Sequence, residues 1–473
     1  MGAIGEMLTK FFTPINDIVW GVPMIILILG TGFYLTFGLR FLSIRKIPYA
    51  FRMMWTHRTK DDSSTGQISP FNALMTALAA TVGTGNIAGV ATAIFVGGPG
   101  ALFWMWMTAL VGMATKFAET VLAVQYRETT PAGEVVGGAM YCIKNGLGKN
   151  WRWLGFLFAL FGSLCGFGIG NMTQTNSIAE ALNSSFSIDP TYTAIVLFIL
   201  VGAVLLGGLT RIGSVAGKIV PFMAFFYIVV SLVVICMNIS EVPTVFGTVI
   251  KEAFTGTAAV GGFAGSTIMI AMQKGVARGI FSNEAGLGSA AIAHAAATTK
   301  NPVTMGYIGM LGTFIDTIIV CSMTGFAILV TNTWTGDVNG AALTAKAFET
   351  ALPGWGAYLV AISLAMFAFT TILGWCVYSE RCVIYLFGDK GLKPFRFLFT
   401  LVVPLGAVTH LDTVWLIADT LNALMAIPNL LMLLLLSPVL FKLVKNYNES
   451  APDVEAAKKD IMGEYPSEMN ELK

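Results

Sequence analysis

The chain has 473 residues, 55% hydrophobic and only 11% charged, with a mean hydropathy of +0.74, whereas soluble domains carry about a quarter charged residues. This is a membrane composition, and a net charge of +2 argues against a nucleic-acid partner. Six dispersed cysteines without a C-x2-C pair, and three distant histidines (His57, His294 and His410), argue against a zinc site or a disulfide framework.

Apolar runs of about 17–25 residues can span a bilayer. They begin near Trp20, Phe71, Ala101, Trp153, Thr191, Gly213, Thr257, Val303, Trp355, Phe395 and Asp412, predicting an all-α polytopic membrane protein with 11 transmembrane helices. The first run, Trp20 to Leu39, is too long for the apolar part of a signal peptide, and no small-residue cleavage pattern follows it. Between Arg40 and Arg58, aromatic and aliphatic residues alternate with basic ones, as in an interfacial helix or a basic loop. With the N-terminus outside, all 28 Lys and Arg except Lys10, Lys116, Lys251 and Lys346 fall in cytoplasmic segments, which also puts the tail inside. The polar tail from 446 to 473 reads as a surface extension.

The second span, from Phe71, carries the run TVGTGNIAG, a poor composition for continuous helix at mid-membrane. It is not a dinucleotide loop, since the spacing is G-x-G-x-x-x-G and no strand precedes it. Close helix packing through small residues explains it, and so does a discontinuous helix whose freed N–H and C=O groups meet a carboxylate and a cation. A second glycine-rich span, from Thr257, lies five helices later with opposite orientation. Two interrupted helices in matching halves point to an inverted repeat.

Further on, Ser163, Phe167, Asn171 and Gln174 share one face of the fourth helix. The two amides either bond between helices or face a cavity. On the ninth helix, Thr370 and Thr371 offer hydroxyl oxygens to a hard cation or bond back to the preceding turn, and Trp375 lies one turn beyond Thr371. Lys116 and Glu119 are three apart and can pair with each other. Asp316 and Asp419 lack such neighbours; a proton relay, a cation site and a brace at a helix end all remain open for them.

The stretches TALAATVGTGNIAGVATAIFVGGPGALFWMW from Thr76, GFGIGNMTQTNSIAEAL from Gly166, RGIFSNEAGLGSAAIAHAAA from Arg278 and IADTLNALMAIPNL from Ile417 resemble the prokaryotic alanine or glycine:cation symporters. The similarity runs over nearly the whole chain, with Ala291 where the family is expected to have proline. The resemblance implies a leucine-transporter-type fold, one extra N-terminal helix before a 5+5 inverted repeat with two discontinuous helices. It implies that Thr84 and Gly85 bind the substrate carboxylate, with Asn171 and Gln174 nearby. A site between the broken helix and Gln174 is expected to have Trp375 as a bulky wall. The resemblance sets sodium between the carbonyls of Ala79 and Val82 and the hydroxyls of Thr370 and Thr371. Asn86 matches an asparagine that holds a second cation in the wider fold; with no clear partner set, one coupled ion is expected.

The expected organisation is therefore an extra helix and interfacial segment (1–70), two five-helix repeats (71–240 and 241–445) and a cytoplasmic tail (446–473). The expected function is sodium-coupled uptake of alanine, glycine or a similarly small neutral amino acid across a prokaryotic cell membrane, with proton coupling as the alternative. No cofactor beyond Na+ is expected. A channel would need a polar or charged pore ring, and a membrane-embedded enzyme a nucleophile with His or carboxylate partners or a metal cluster; the sequence has neither pattern.

Overall fold

A computed structural model describes residues 2–60, 64–255, 267–408 and 412–450. It opens with α1 (Gly2–Val19) and α2 (Val22–Gly38), which bend by 41° at Trp20 and Gly21. The first of these is new relative to the sequence reading, which starts the first span at Trp20: interspersed polar residues hide an amphipathic helix that lies against the start of the last described helix, where Thr9 meets Thr413 and Asn16 meets Thr420. The Arg40–Arg58 segment is helical as α3 (Leu42–Arg45) and α4 (Ile47–Thr56). Ala50 and Met53 face inward while Arg45, Lys46, Arg52 and Arg58 stay exposed, as an interfacial segment requires.

Ser69 caps α5 (Pro70–Thr81), accepting the Asn72 N–H at 3.1 Å, and Pro70 fills the first helical position. The helix stops after Thr81, passes through an extended Val82, and resumes in a π-helical turn (Gly85–Gly89) and α6 (Val90–Gly97), its axis bent by 53°. Gly98, at φ +71° within a Gly-Gly-Pro-Gly run, reverses the chain into α7 (Gly100–Gln125). A short hairpin, β1 (Glu128–Thr129) with β2 (Val135–Val136), and α8 (Ala139–Cys142) lead to α9 (Arg152–Phe167). The latter runs through a π turn at Gly168–Met172 into α10 (Thr173–Phe186).

After α11 (Pro190–Leu205), α12 (Gly208–Met237) and α13 (Val242–Thr255) comes α14 (Ile268–Asn283), followed by α15 (Ala290–Ala295). Next, α16 (Pro302–Thr313) continues through a π stretch, Phe314–Cys321, into α17 (Ser322–Val330). The chain closes with α18 (Gly340–Ala351), α19 (Gly356–Phe387), α20 (Leu392–Val408) and α21 (Asp412–Ser450).

Among the described residues, seven helices are long and apolar enough to cross a membrane, or nine if each bent pair is one span. The expected eleven would add α11, which is 16 residues long, and the span from Thr257. The glycine-rich part of that span, expected to be the second broken helix, falls on 256–266, outside the described residues; its continuation is α14. The tail likewise lies outside them beyond Ser450.

The bundle centres on α7, packed against α14 and α16, and on α19, packed against α9 and α10. Lys116 and Glu119 on α7 do pair, at 3.9 Å, and both are buried. Together they brace the turn after α14. Lys116 Nζ donates to the Glu284 carbonyl at 3.0 Å, and Glu119 Oε1 accepts the N–H groups of Gly286 and Gly288 and the Asn429 amide at 2.9, 3.1 and 2.7 Å. Buried charges persist only when satisfied in this way.

Candidate functional site

The break in the α5–α6 span follows from one side chain. Continuous α-helix would give the Gly83 N–H to the Ala79 carbonyl and the Asn86 N–H to Val82. Instead Gly83 N–H donates to Asn86 Oδ1 at 2.8 Å, and Asn86 N–H to the Gly83 carbonyl at 3.2 Å. The carbonyls of Ala79 and Val82 are thereby released from the helix ladder. The N–H groups of Thr84 and Gly85 donate to nothing among the described residues. A Cβ at Gly83 would overlap the Thr371 hydroxyl, so glycine there lets α19 close onto the break.

Beside the break lies a small cavity of about 10 Å³, room for about one water. Thr84 and Gly85 line it from the broken helix, Ile169 and Gln174 from the π turn and α10, Phe281 and Glu284 from the end of α14, Thr371 and Trp375 from α19, and Asn422 from α21. Three of these residues are buried with an unsatisfied side-chain oxygen: Thr84 Oγ1, Gln174 Oε1 and Asn422 Oδ1. Buried polar atoms are normally paired. Three in one cavity therefore mark where a polar ligand fits. Gln174 is held in this pose because its Nε2 donates to the Ile169 carbonyl at 2.9 Å, which leaves Oε1 for the cavity.

Asn171 takes the interhelical alternative and not the place beside the substrate that the resemblance implies. It does not line the cavity; its amide donates to the Phe399 carbonyl on α20 at 2.7 Å. The sequence argument assumed a continuous α-helix from Ser163 to Gln174, and the π turn at Gly168–Met172 widens the spiral and removes Asn171 from that face. The two threonines also part. Thr371 Oγ1 lies 3.4 Å from the Val82 carbonyl and bonds back to Phe367 at 3.0 Å. Thr370 bonds to the same Phe367 carbonyl at 2.9 Å and faces Met223 on α12. Adjacent helical residues diverge by about 100°, so only Thr371 reaches the break.

Asn86 meets Asp316. The asparagine Nδ2 donates to Asp316 Oδ1 at 2.7 Å, and Ser282 and Thr317 hydroxyls donate to Oδ2 at 2.8 and 2.7 Å. The π stretch of 314–321 thus joins the broken helix to the end of α14. Asp419 is elsewhere, at the α1–α21 contact, where its carbonyl accepts the Trp20 indole N–H at 3.2 Å. Sequence reasoning missed Phe281, Glu284 and Asn422 as cavity residues. Their signal lay within RGIFSNEAGLGS and IADTLNALM, stretches that were singled out as blocks but not residue by residue.

A bundle of membrane-spanning helices, broken at an enclosed polar cavity, is the architecture of a secondary transporter. Its fold is shared with the crystal structure of MhsT in complex with L-phenylalanine, at a TM-score of 0.54 and 14% identity over 79% of this chain and 89% of that one. The profile of the sodium:alanine symporter family matches residues 5–461, and the chain belongs to that family. It is 50% identical to the sodium/alanine symporter AgcS of Methanococcus maripaludis, over 92% of this chain and 96% of the relative. It is 38% identical to a Bacillus subtilis protein described as "Probable sodium/glutamine symporter GlnT", over 91% and 89%. The protein is a multi-pass membrane transporter of amino acids, and not an enzyme.

Proposed function

We propose that the protein couples inward movement of Na+ to uptake of a small neutral amino acid, alanine or glycine. The observation that carries this reading is the set of unpaired groups around the cavity at the break. Thr84 and Gly85 offer N–H donors to a carboxylate, while Gln174 Oε1 and Asn422 Oδ1 offer acceptors to an ammonium group. An α-amino acid zwitterion satisfies both ends at once. Trp375 and Phe281 wall the side-chain end and favour a small substituent.

For the cation we infer a site between the freed carbonyls of Ala79 and Val82 and the hydroxyl of Thr371. The 3.4 Å from Thr371 Oγ1 to the Val82 carbonyl is long for a hydrogen bond. It matches the spacing of neighbouring oxygens around a hard cation held at ~2.4 Å. An ion there ties α19 to the broken helix beside the substrate, which is the physical basis for coupling. The buried Asn86–Asp316 contact favours a second reading, in which Asp316 holds a proton or second cation. The alternating-access frame proposed is the inverted repeat of 71–240 and 241–445, with the N-terminus outside.

Uptake of labelled alanine into proteoliposomes tests both readings. An imposed sodium gradient should drive accumulation and a proton gradient alone should not; the reverse would move the coupling to Asp316. Leucine competing as well as alanine would sink the small-substrate assignment.

A further inference from the structure

A second cavity has a different character from the transport site. Between α11 and α20 runs a groove of about 570 Å³, lined by Phe198, Ile199, Ala203, Leu206 and Phe397 and bounded at one end by Lys393 and Arg396. Leu206 is 85% exposed at its rim, on the outer face of the bundle. The walls suit acyl chains.

The end of the groove carries positive charge that the protein does not neutralise. Arg396 Nε is matched by Glu380 at 2.6 Å, and Arg381 by Glu134 at 2.7 Å. Two carboxylates thus answer two guanidinium groups. Lys393 and Arg211 have no carboxylate partner among the described residues. Arg211 is nonetheless held in place: Nη1 donates to the carbonyl of Ala203, a groove residue, at 2.8 Å. Gly208, at φ +63°, turns the α11–α12 link so tightly that a Cβ there would come within 3.0 Å of the Arg396 guanidinium. The turn thereby gathers Arg211 and Arg396 at one rim.

We infer that this groove binds an anionic phospholipid, its phosphodiester between Lys393 and Arg211 and an acyl chain along Phe198, Ile199 and Phe397. A zwitterionic lipid has the same phosphodiester but brings its own quaternary ammonium to the basic rim, so its net charge does not offset the two cations. Basic pockets between membrane helices recognise anionic headgroups for this reason.

The test is native mass spectrometry of the purified full-length protein, delipidated in detergent and titrated with dioleoyl phosphatidylglycerol or dioleoyl phosphatidylcholine. Wild type should retain phosphatidylglycerol preferentially. A double variant, Arg211→Gln with Lys393→Gln, should bind it about 25-fold more weakly, from about fivefold per basic residue, with phosphatidylcholine losing markedly less. Ala203→Trp should fill the groove and weaken both lipids. Equal retention of the two lipids by wild type, or unchanged phosphatidylglycerol binding in the double variant, overturns the inference. Inorganic phosphate binding as tightly as phosphatidylglycerol would assign the cations to free phosphate and overturn it too.

Discussion

Replacing Gln174 with leucine isolates the acceptor end of the proposed substrate site. The leucine has nearly the volume of the glutamine, so packing against Trp375 and Thr371 is retained while two polar functions are lost. One is Oε1, without a protein partner at the cavity and so available to an ammonium group. The other is the Nε2 donor to the Ile169 carbonyl at 2.9 Å, an oxygen that also accepts the Thr173 hydroxyl at 2.8 Å. A hydrogen bond to a charged group contributes about 1.5–3 kcal/mol. That corresponds to an increase of about 10- to 150-fold in the substrate concentration for half-maximal uptake. Gln174→Glu, which keeps an acceptor at the same reach, should lose less. The assay is concentration-dependent alanine uptake into proteoliposomes at saturating sodium, with thermal melting to confirm that both variants fold. Wild-type half-saturation in the leucine variant would refute the assignment of Gln174 to the ammonium end.

Thr371→Ala should raise the sodium concentration needed for half-maximal uptake, whereas Thr371→Ser keeps the oxygen near Val82 and should stay close to wild type; equal sodium dependence in both would reduce Thr371 to a helix-packing residue. Glu134 gives a pH prediction outside the spans. Burial raises its carboxyl pKa, but Arg381 at 2.7 Å and the Gln67 amide at 2.9 Å outweigh this and leave it below the ordinary 4.5. A depressed carboxylate pKa stabilises fully above the unfolded value and loses that contribution as pH falls through the folded one. The melting-temperature difference between wild type and Glu134→Gln should therefore be constant from pH 8 to about 5 and shrink below 4.5; a difference that persists undiminished at pH 3 would contradict the pairing. A reporter fused after Lys473 should be active only in the cytoplasm, and periplasmic activity would overturn the proposed orientation.

Membrane character, most spans and the broken helix were legible in the residues themselves. Long apolar runs have one stable form in lipid, because a backbone without water must satisfy its own hydrogen bonds. The TVGTGNIAG run is the local exception, and Asn86 explains why it breaks: its side chain takes the Gly83 N–H that the helix needs. That event is encoded within four residues. Which residues meet across the bundle was decided at a longer range. The hydroxyl of Thr371 reaches the break while that of Thr370 faces Met223, a distinction fixed by the rotation of α19 and not by its sequence spacing. Asn171 left the cavity because a π turn changes the helical period, and period is what facial arguments assume. Glu284 and Asn422 entered it from segments far apart in sequence. Local composition specified where the backbone opens, and only the packing of α10, α14, α19 and α21 around that opening determined which side chains face it.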